Sequence, residues 1–139
     1  MHIRIDTIEQ AIRDAHTLPT PVIDEGYRVG FAIAEENLRL GATVIADSVN
    51  PINITREAWH KTAKRAGAKF VDIEIICSNA SEHRRRVESR TPDITNHLLP
   101  TWADVTGREF EVWQQTHLVV DTAIETTDSS VARIRALIT

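Results

Sequence analysis

Three aspartates follow stretches that are predicted to be β-strands: Asp6, Asp47 and Asp121. In an open parallel sheet, ligands bind beyond the carboxyl ends of the strands, so carboxylates at that edge are placed to do chemistry. Such a group can take a proton from a substrate hydroxyl or hold a magnesium ion through water. The structural alternative is that each aspartate caps the helix or turn that follows it. We expect Asp6 and Asp47 to face one crevice.

The second candidate for chemistry is the basic stretch HRRRVESR at residues 83–90. Arg86 and Arg90 are four residues apart, so they would share one face of a helix. Two guanidinium groups on one face can clamp a polyphosphate and neutralise charge during phosphoryl transfer. The alternative is a solvated helix face on which Glu82 and Glu88 serve as local ion partners.

Short apolar runs alternate with amphipathic segments along the whole chain, and this alternation predicts the fold class. Strands are expected at residues 2–5, 42–47, 69–77 and 117–122, separated by helices. Helices of this length allow right-handed crossovers between parallel strands. The chain is therefore predicted to be a single α/β domain over residues 1–139 with a mostly parallel sheet.

Local signals refine this outline. The compact apolar run at 42–47 predicts a strand that is buried on both faces. Gly41 and Gly67 stand where helices end, and Thr55 is a predicted helix N-cap. Asn79 or Ser81 is expected to cap the helix that carries the arginines. The stretches 16–27 and 91–102 contain prolines and predict loops, the second of which is placed to act as a lid.

The composition narrows the class of protein. The net charge of -4 argues against a general binder of nucleic acid or membrane surfaces. No apolar run is long enough to span a bilayer, and no signal peptide pattern is present, so no membrane partner and a cytoplasmic location are expected. The single cysteine, Cys77, fits a reducing compartment and is predicted to be an inert core thiol. The six histidines do not pair at metal-ligand spacing, so no direct metal site is expected from them.

Five stretches in chain order resemble the P-loop kinase-like ATP-binding proteins. This family contains AAA-type small phosphotransferases related to polynucleotide 5′-hydroxyl kinase, gluconate kinase and zeta toxin. The stretches are HIRIDTIEQAIR, DEGYRVGFAIAEENLRLGATVIADSVNP, EIICSNASEHRRRVESR, LPTWADV and LVVDT. The resemblance covers essentially the whole chain. It implies a three-layer P-loop NTPase-like fold, a parallel sheet with strand order 2-3-1-4-5, phosphotransferase activity, and ATP with Mg²⁺ as cofactors.

The resemblance also implies roles for individual residues. Asp6 matches the general base that acts on the acceptor hydroxyl, and Arg13 resembles a substrate-contacting arginine in the next helix. Asp47 in VIADSVN resembles the Walker B carboxylate on the magnesium side, acting through water. Asn50 would shape the following loop, and Arg56 matches an arginine often found shortly after it; both are expected on the substrate-binding side.

The paired lid arginines of the family resemble Arg86 and Arg90, which would steady the transferring phosphoryl group. The departure from the family is the phosphate-binding loop, because no G-x-x-x-x-G-K-[ST] motif and no Gly-Lys pair occurs in the 139 residues. The corresponding strand–loop–helix unit would precede His2 and contains the central strand of the sheet. ATP binding by this chain is therefore expected to be weak or lost.

The expected loss of the central strand has a structural consequence. The family's third and fourth strands would become exposed apolar edges, which proteins normally avoid. Three interpretations stay open: the recorded start is too late, the chain is a degenerate remnant, or its two halves close up or pair with another chain. The functional alternative to a kinase is accordingly a non-catalytic remnant that acts as a binding or interaction protein. Self-association through the exposed central strand edges is a separate expectation. The residues do not identify the acceptor, which could be a small molecule or a nucleic-acid end.

Overall fold

The computed structural model describes residues 1–15 and 24–138. Within these ranges the chain forms four strands and six helices, in the alternating order predicted from the sequence. The strands are β1 (His2–Arg4), β2 (Ile45–Asp47), β3 (Ile73–Ile76) and β4 (Leu118–Asp121). The helices are α1 (Ile5–Asp14), α2 (Glu25–Arg39), α3 (Asn53–Arg65), α4 (Ala80–Ser89), α5 (Trp102–Thr106) and α6 (Thr127–Ile138). Residues 16–23 of the predicted loop at 16–27 lie outside the described residues.

The strands form two separate parallel pairs. β1 pairs with β2, which places Arg4 opposite Asp47, and β3 pairs with β4, which places Ile76 opposite Asp121. The mixed α/β class and the parallel pairing are thereby confirmed. The chain divides into two compact units, one made of Met1–Phe70 with Pro92–Leu99 and the other of Val71–Thr91 with Pro100–Thr139. We call them the first unit and the second unit.

The first unit is built around a small apolar core under β1. Ile3, Ile5 and Ala34 are buried there, and partly buried residues pack around them. Helix α2 lies between α1 and α3, because small residues on its inner face allow a close approach. At Gly30, an added Cβ would lie 2.6 Å from Cδ1 of Ile5, so a side chain has no space there. The aromatic residues extend this core, with Phe31 meeting Trp59 edge to face at a centroid distance of 4.6 Å.

The second unit contains the β3–β4 pair and helices α4 to α6. Val120 on β4 is 1% exposed, whereas Ile75 on β3 is 60% exposed. Helix α4 packs against α5, where the rings of His83 and Trp102 meet edge to face. Across the described parts of the chain, no helix combines the length and the apolar character needed to cross a membrane.

Several helix ends follow the local sequence signals. Gly41 and Gly67 adopt positive φ values of 82° and 68° after α2 and α3, the left-handed conformation that favours glycine. Asn79 caps α4 by accepting a hydrogen bond from the Glu82 amide at 3.0 Å. The predicted cap at Thr55 is wrong, because α3 begins at Asn53 and the Thr55 hydroxyl donates to the Ile52 carbonyl instead.

Other expectations about boundaries and burial need correction. β1 ends at Arg4, and Asp6 lies in the first turn of α1 rather than at a strand end, because Ile5 already belongs to the helix. All three residues of β2 are exposed, Ile45 by 62%, because the strand has only β1 as a neighbour among the described strands. Cys77 follows β3 and is only half-buried, so it is not a core thiol.

Candidate functional site

Asp6 and Asp47 line one shallow pocket in the first unit. Asp47 ends β2, and Asp6 opens α1 directly after β1, so the parallel pairing of the two strands brings both carboxylates to the same edge. The pocket has a volume of about 160 Å³ and is lined by Arg4, Asp6, Asp47, Ser48 and Val49. The side chains of the two aspartates are about half exposed, 53% and 55%, so both can reach a bound molecule.

Arg4 organises the charges around this pocket. Its guanidinium donates two hydrogen bonds to the Asp93 carboxylate, at 2.7 and 3.3 Å, and its Nε lies 3.7 Å from Oδ2 of Asp47. The hydrogen bond from Arg4 lowers the pKa of Asp93, and the same bond raises the pKa of Arg4. Nε2 of His2 lies 3.0 Å from Oδ2 of Asp47. Asp47 therefore has two basic neighbours, and Asp93 holds Arg4 in place.

The loop between β2 and α3 forms one side of the pocket and is ordered by hydrogen bonds from side chains of α3. Asn50 adopts a positive φ of 46°, and its carbonyl accepts a hydrogen bond of 2.9 Å from Nε of Arg56. Two further Arg56 donors reach the Pro51 carbonyl and the Asn53 side chain. The Asn50 side chain accepts from the Trp59 indole at 3.2 Å. Arg56 is 2% exposed, so the structure places it as a support of the loop rather than on the open surface.

Tyr27 contacts the same loop. Its hydroxyl accepts a hydrogen bond from the Asn50 amide at 3.4 Å. Burial raises the pKa of Tyr27, against smaller opposing effects of Asn50 and Ser48. The phenol therefore stays protonated and serves as a fixed polar contact beneath the pocket rim.

Arg13 lies in the last turn of α1 and pairs with Glu9 one turn earlier, at 3.1 Å. Burial raises the pKa of Glu9, and the neighbouring Arg13 opposes that shift. The side chain of Arg13 is 42% exposed, so it remains accessible to solvent while paired with Glu9.

Arg86 and Arg90 belong to the second unit. Arg86 donates to Glu82 at 2.7 Å and to the hydroxyl and carbonyl of Thr122 at 3.0 and 3.2 Å, so it ties α4 to the segment after β4. Helix α4 ends at Ser89, and Arg90 stands at its C-cap in an extended conformation. The two arginines therefore do not share a helix face as predicted, because the chain leaves the helix before the Thr91–Pro92 step, where proline disfavours helical backbone.

The remaining arginines of this stretch are paired locally. Arg85 donates two bonds of 2.7 Å to Glu82, and Arg84 donates to Glu88 at 2.8 Å. The hydrogen bonds from Arg85 and then Arg86 lower the pKa of Glu82 to about 2. These contacts match the solvated, ion-paired helix face that the sequence left open as an alternative.

The third aspartate has a structural role in the second unit. One carboxylate oxygen of Asp121 accepts from the backbone amides of Ser78 and Ala123, both at 3.0 Å. These bonds, that from Ser78 first, lower the pKa of Asp121. Asp121 therefore caps the turns that follow β3 and β4, as the structural alternative for such residues predicts.

His97 is a site residue that the sequence did not single out. It lies on the segment 92–99, which packs in the first unit, and its Nε2 is 3.8 Å from Oδ2 of Asp6. The two residues are far apart in sequence and no spacing rule connects them. The only signal in the sequence is a histidine inside the predicted lid loop.

The residues of the chain fit magnesium and ATP, the two implied cofactors, to different degrees. The exposed carboxylate of Asp47 is an oxygen ligand of the kind that a hydrated Mg²⁺ accepts. Within residues 1–15 and 24–138, no group of three or more His, Cys, Asp or Glu side chains is arranged to hold a metal directly. For ATP, the 139 residues contain no glycine-rich phosphate loop, and no residue can be assigned to cradle its phosphates.

No family model, curated protein or solved structure matches the chain. The fold and the site geometry therefore carry the functional argument.

Proposed function

We propose that the chain belongs to an ATP-dependent phosphotransferase with a P-loop kinase-like architecture. The observation that carries the proposal is the convergence of Asp6 and Asp47 on one pocket at the ends of two neighbouring parallel strands. This is the edge at which open parallel sheets bind their ligands. One carboxylate would serve the acceptor and the other the magnesium ion.

The strand pairing gives separate support. In the order 2-3-1-4-5, the second strand pairs with the third and the fourth with the fifth. If β1 to β4 correspond to those four strands, the two observed parallel pairs are the neighbours that the order requires. Both pairs join strands that are consecutive in the chain, and they are consistent with the kinase-like order.

In the proposed reaction, Asp6 would take the proton of the acceptor hydroxyl, so that the hydroxyl oxygen could form a bond to the γ-phosphorus while the bond between that phosphorus and the leaving ADP breaks. Mg·ATP, when bound, supplies the phosphoryl group. Asp47 would hold the water shell of the ion. Arg13 is the proposed contact of the acceptor.

Asn50 and Arg56 would act on the substrate side through the loop that they order. The main supporting observation is the burial of Arg56 beneath the loop that carries Ser48 and Val49 to the pocket rim. A loop held this way keeps the rim in one conformation, which preserves the position of a bound acceptor.

The test measures phosphoryl transfer by the full product of the gene that encodes these residues. Transfer from γ-labelled ATP with Mg²⁺ would be measured for a panel of hydroxyl acceptors, including polynucleotide 5′ ends and sugar acids. Asp6→Asn should lower kcat by about 10²- to 10⁴-fold, the usual contribution of a general base. Asp14→Asn, at the other end of α1, is the matched control and should leave kcat unchanged. Absence of transfer by the wild-type protein, or equal rates for Asp6→Asn and wild type, would refute the proposal.

The second candidate is a binding or interaction protein that pairs through strand edges. It is favoured by the exposure of Ile45 on β2 and Ile75 on β3, at 62% and 60%. Light scattering of the 139-residue chain would show a concentration-dependent dimer that Ile45→Lys abolishes, since a lysine on a strand edge opposes pairing. A monomer at all concentrations would exclude self-pairing.

A further inference from the structure

The segment 92–99, which we call the strap, approaches the pocket rim at two points. Asp93 accepts two hydrogen bonds from Arg4, and His97 lies beside Asp6. The two partners on the rim, Arg4 and Asp6, are two residues apart in sequence. Those on the strap, Asp93 and His97, are four apart. In the first contact the rim supplies the basic side chain and the strap the carboxylate, and in the second contact these roles are reversed. The strap is therefore held in one register against the end of β1 and the start of α1.

The backbone of the strap turns sharply to present His97. Asn96 adopts a positive φ of 62°, and the His97 amide donates to the Ile94 carbonyl at 3.2 Å. A left-handed conformation costs energy in a residue other than glycine, although asparagine tolerates it better than most. Such conformations persist where the surrounding contacts determine them, and here those contacts include the one at Asp6.

The environment of the His97 ring selects one tautomer. Its side chain is 14% exposed, and its Nε2 faces the Asp6 carboxylate. Nδ1 is buried and has no hydrogen-bond partner among the described residues. A carboxylate can only accept, so Nε2 must carry the proton for a hydrogen bond to form. An unprotonated Nδ1 then avoids a buried donor without an acceptor, which is the costlier arrangement.

We propose that His97 is a positioning residue for Asp6, and this rests on the proposed role of Asp6 as general base. The neutral ring directs Nε2–H at Oδ2 of Asp6, which leaves Oδ1 to take the acceptor proton. The present separation of 3.8 Å exceeds a hydrogen bond. Contacts of this kind are often long before substrate binds and shorten in the substrate complex.

The first experiment does not depend on activity. In protein labelled with ¹⁵N-histidine, the neutral form of the His97 ring should carry its proton on Nε2 rather than on Nδ1. Asp6→Asn should shift the Nε2 resonance, whereas Asp14→Asn, in the last turn of the same helix, should not. A proton on Nδ1 in the neutral ring, or an Nε2 resonance that is unchanged in Asp6→Asn, would overturn the proposal.

The second experiment separates positioning from folding. His97→Ala should lower kcat by about 10- to 100-fold with KM little changed, as expected when a reacting group is misplaced. His97→Gln, whose amide can donate from nearly the same place as Nε2, should recover part of kcat, and His60→Ala should leave kcat unchanged. If Asp6→Asn abolishes transfer and His97→Ala does not, the proposed function stands and the positioning role is wrong. If wild-type protein transfers nothing, the proposed function fails, and the positioning role fails with it.

Discussion

Replacing Arg56 by alanine should destabilise the first unit and disorder the loop at the pocket rim. The guanidinium is 2% exposed and donates to Asn50, Pro51 and Asn53. Truncation removes all three bonds at once and leaves two backbone carbonyls and a side-chain oxygen without these donors. It also removes the aliphatic stem that packs beneath the loop.

The magnitude follows from the three distances. The bond to the Asn50 carbonyl is 2.9 Å, within the range of good hydrogen bonds, whereas those to Asn53 and Pro51 are 3.3 and 3.2 Å. A hydrogen bond to a charged group contributes about 1.5–3 kcal/mol, and the two longer ones less. Water that enters the vacated space recovers part of the loss. We expect the free energy of unfolding to fall by about 3 kcal/mol, similar to the loss of one partner of a buried ion pair.

The assay is urea unfolding followed by the fluorescence of Trp59, which lies in the first unit beside Asn50. Trp102 and Trp113 would be replaced by phenylalanine in every variant, so that the signal reports this unit alone. With a denaturant slope of about 2 kcal/mol per molar urea, the midpoint should fall by about 1.5 M.

Two further variants make the result specific. Arg39→Ala removes a surface ion pair with Glu35 and should move the unfolding midpoint by less than about 0.5 M, because exposed ion pairs contribute little. Arg56→Lys keeps the charge and most of the stem but cannot replace three donors. Its unfolding midpoint should therefore lie between those of Arg56→Ala and the wild type. If Arg56→Ala unfolds at the same midpoint as Arg39→Ala, the assignment of Arg56 as the support of the loop is wrong.

Two other predictions concern the helices. Gly30→Ala should lower the free energy of unfolding by about 1–2 kcal/mol, because its Cβ would meet buried Ile5 at 2.6 Å, although alanine is the better helix former; a more stable variant in the same urea assay would contradict this packing. Glu82 should titrate near pH 2 by carboxyl NMR, so its stabilising contribution is complete above about pH 4.5 and is lost as the pH falls towards 2. Arg85→Ala should move this titration back towards the ordinary value, and an equal effect from Arg84→Ala, which pairs elsewhere, would show that the bonds from Arg85 are not the main cause of the low pKa.

The order of helices and strands was predictable because it depends on local periodicity. The positive φ of Gly41 and the capping bond of Asn79 were also predictable, since both satisfy groups within one turn of the same helix. The boundaries of the helices and strands were less predictable than their order. The apolar pattern predicts Ile5 in a strand, but this residue begins α1 and is buried in the core, and the difference moves Asp6 from a strand end into a helix.

The candidate site was predictable in part. Asp6 and Asp47 could be selected because strand ends of a parallel sheet meet at one edge, and the structure brings both to one pocket. The sequence could not show that Arg56 is buried under the loop, because burial depends on which segments cover it. The Thr91–Pro92 step marks the end of the helix in the sequence, but it does not show that Arg90 already leaves the helix that carries Arg86.

The sequence by itself therefore determined the α/β class and the parallel pairing, and it singled out Asp6 and Asp47, because these features follow from short-range pattern and chain geometry. Only the tertiary structure decided which distant segments meet: Asp93 with Arg4, and His97 with Asp6. These contacts join residues about 90 positions apart, where no periodicity connects one side chain to another. The same reason explains the exposure of β2, because burial of an apolar strand requires neighbours that its own residues do not specify.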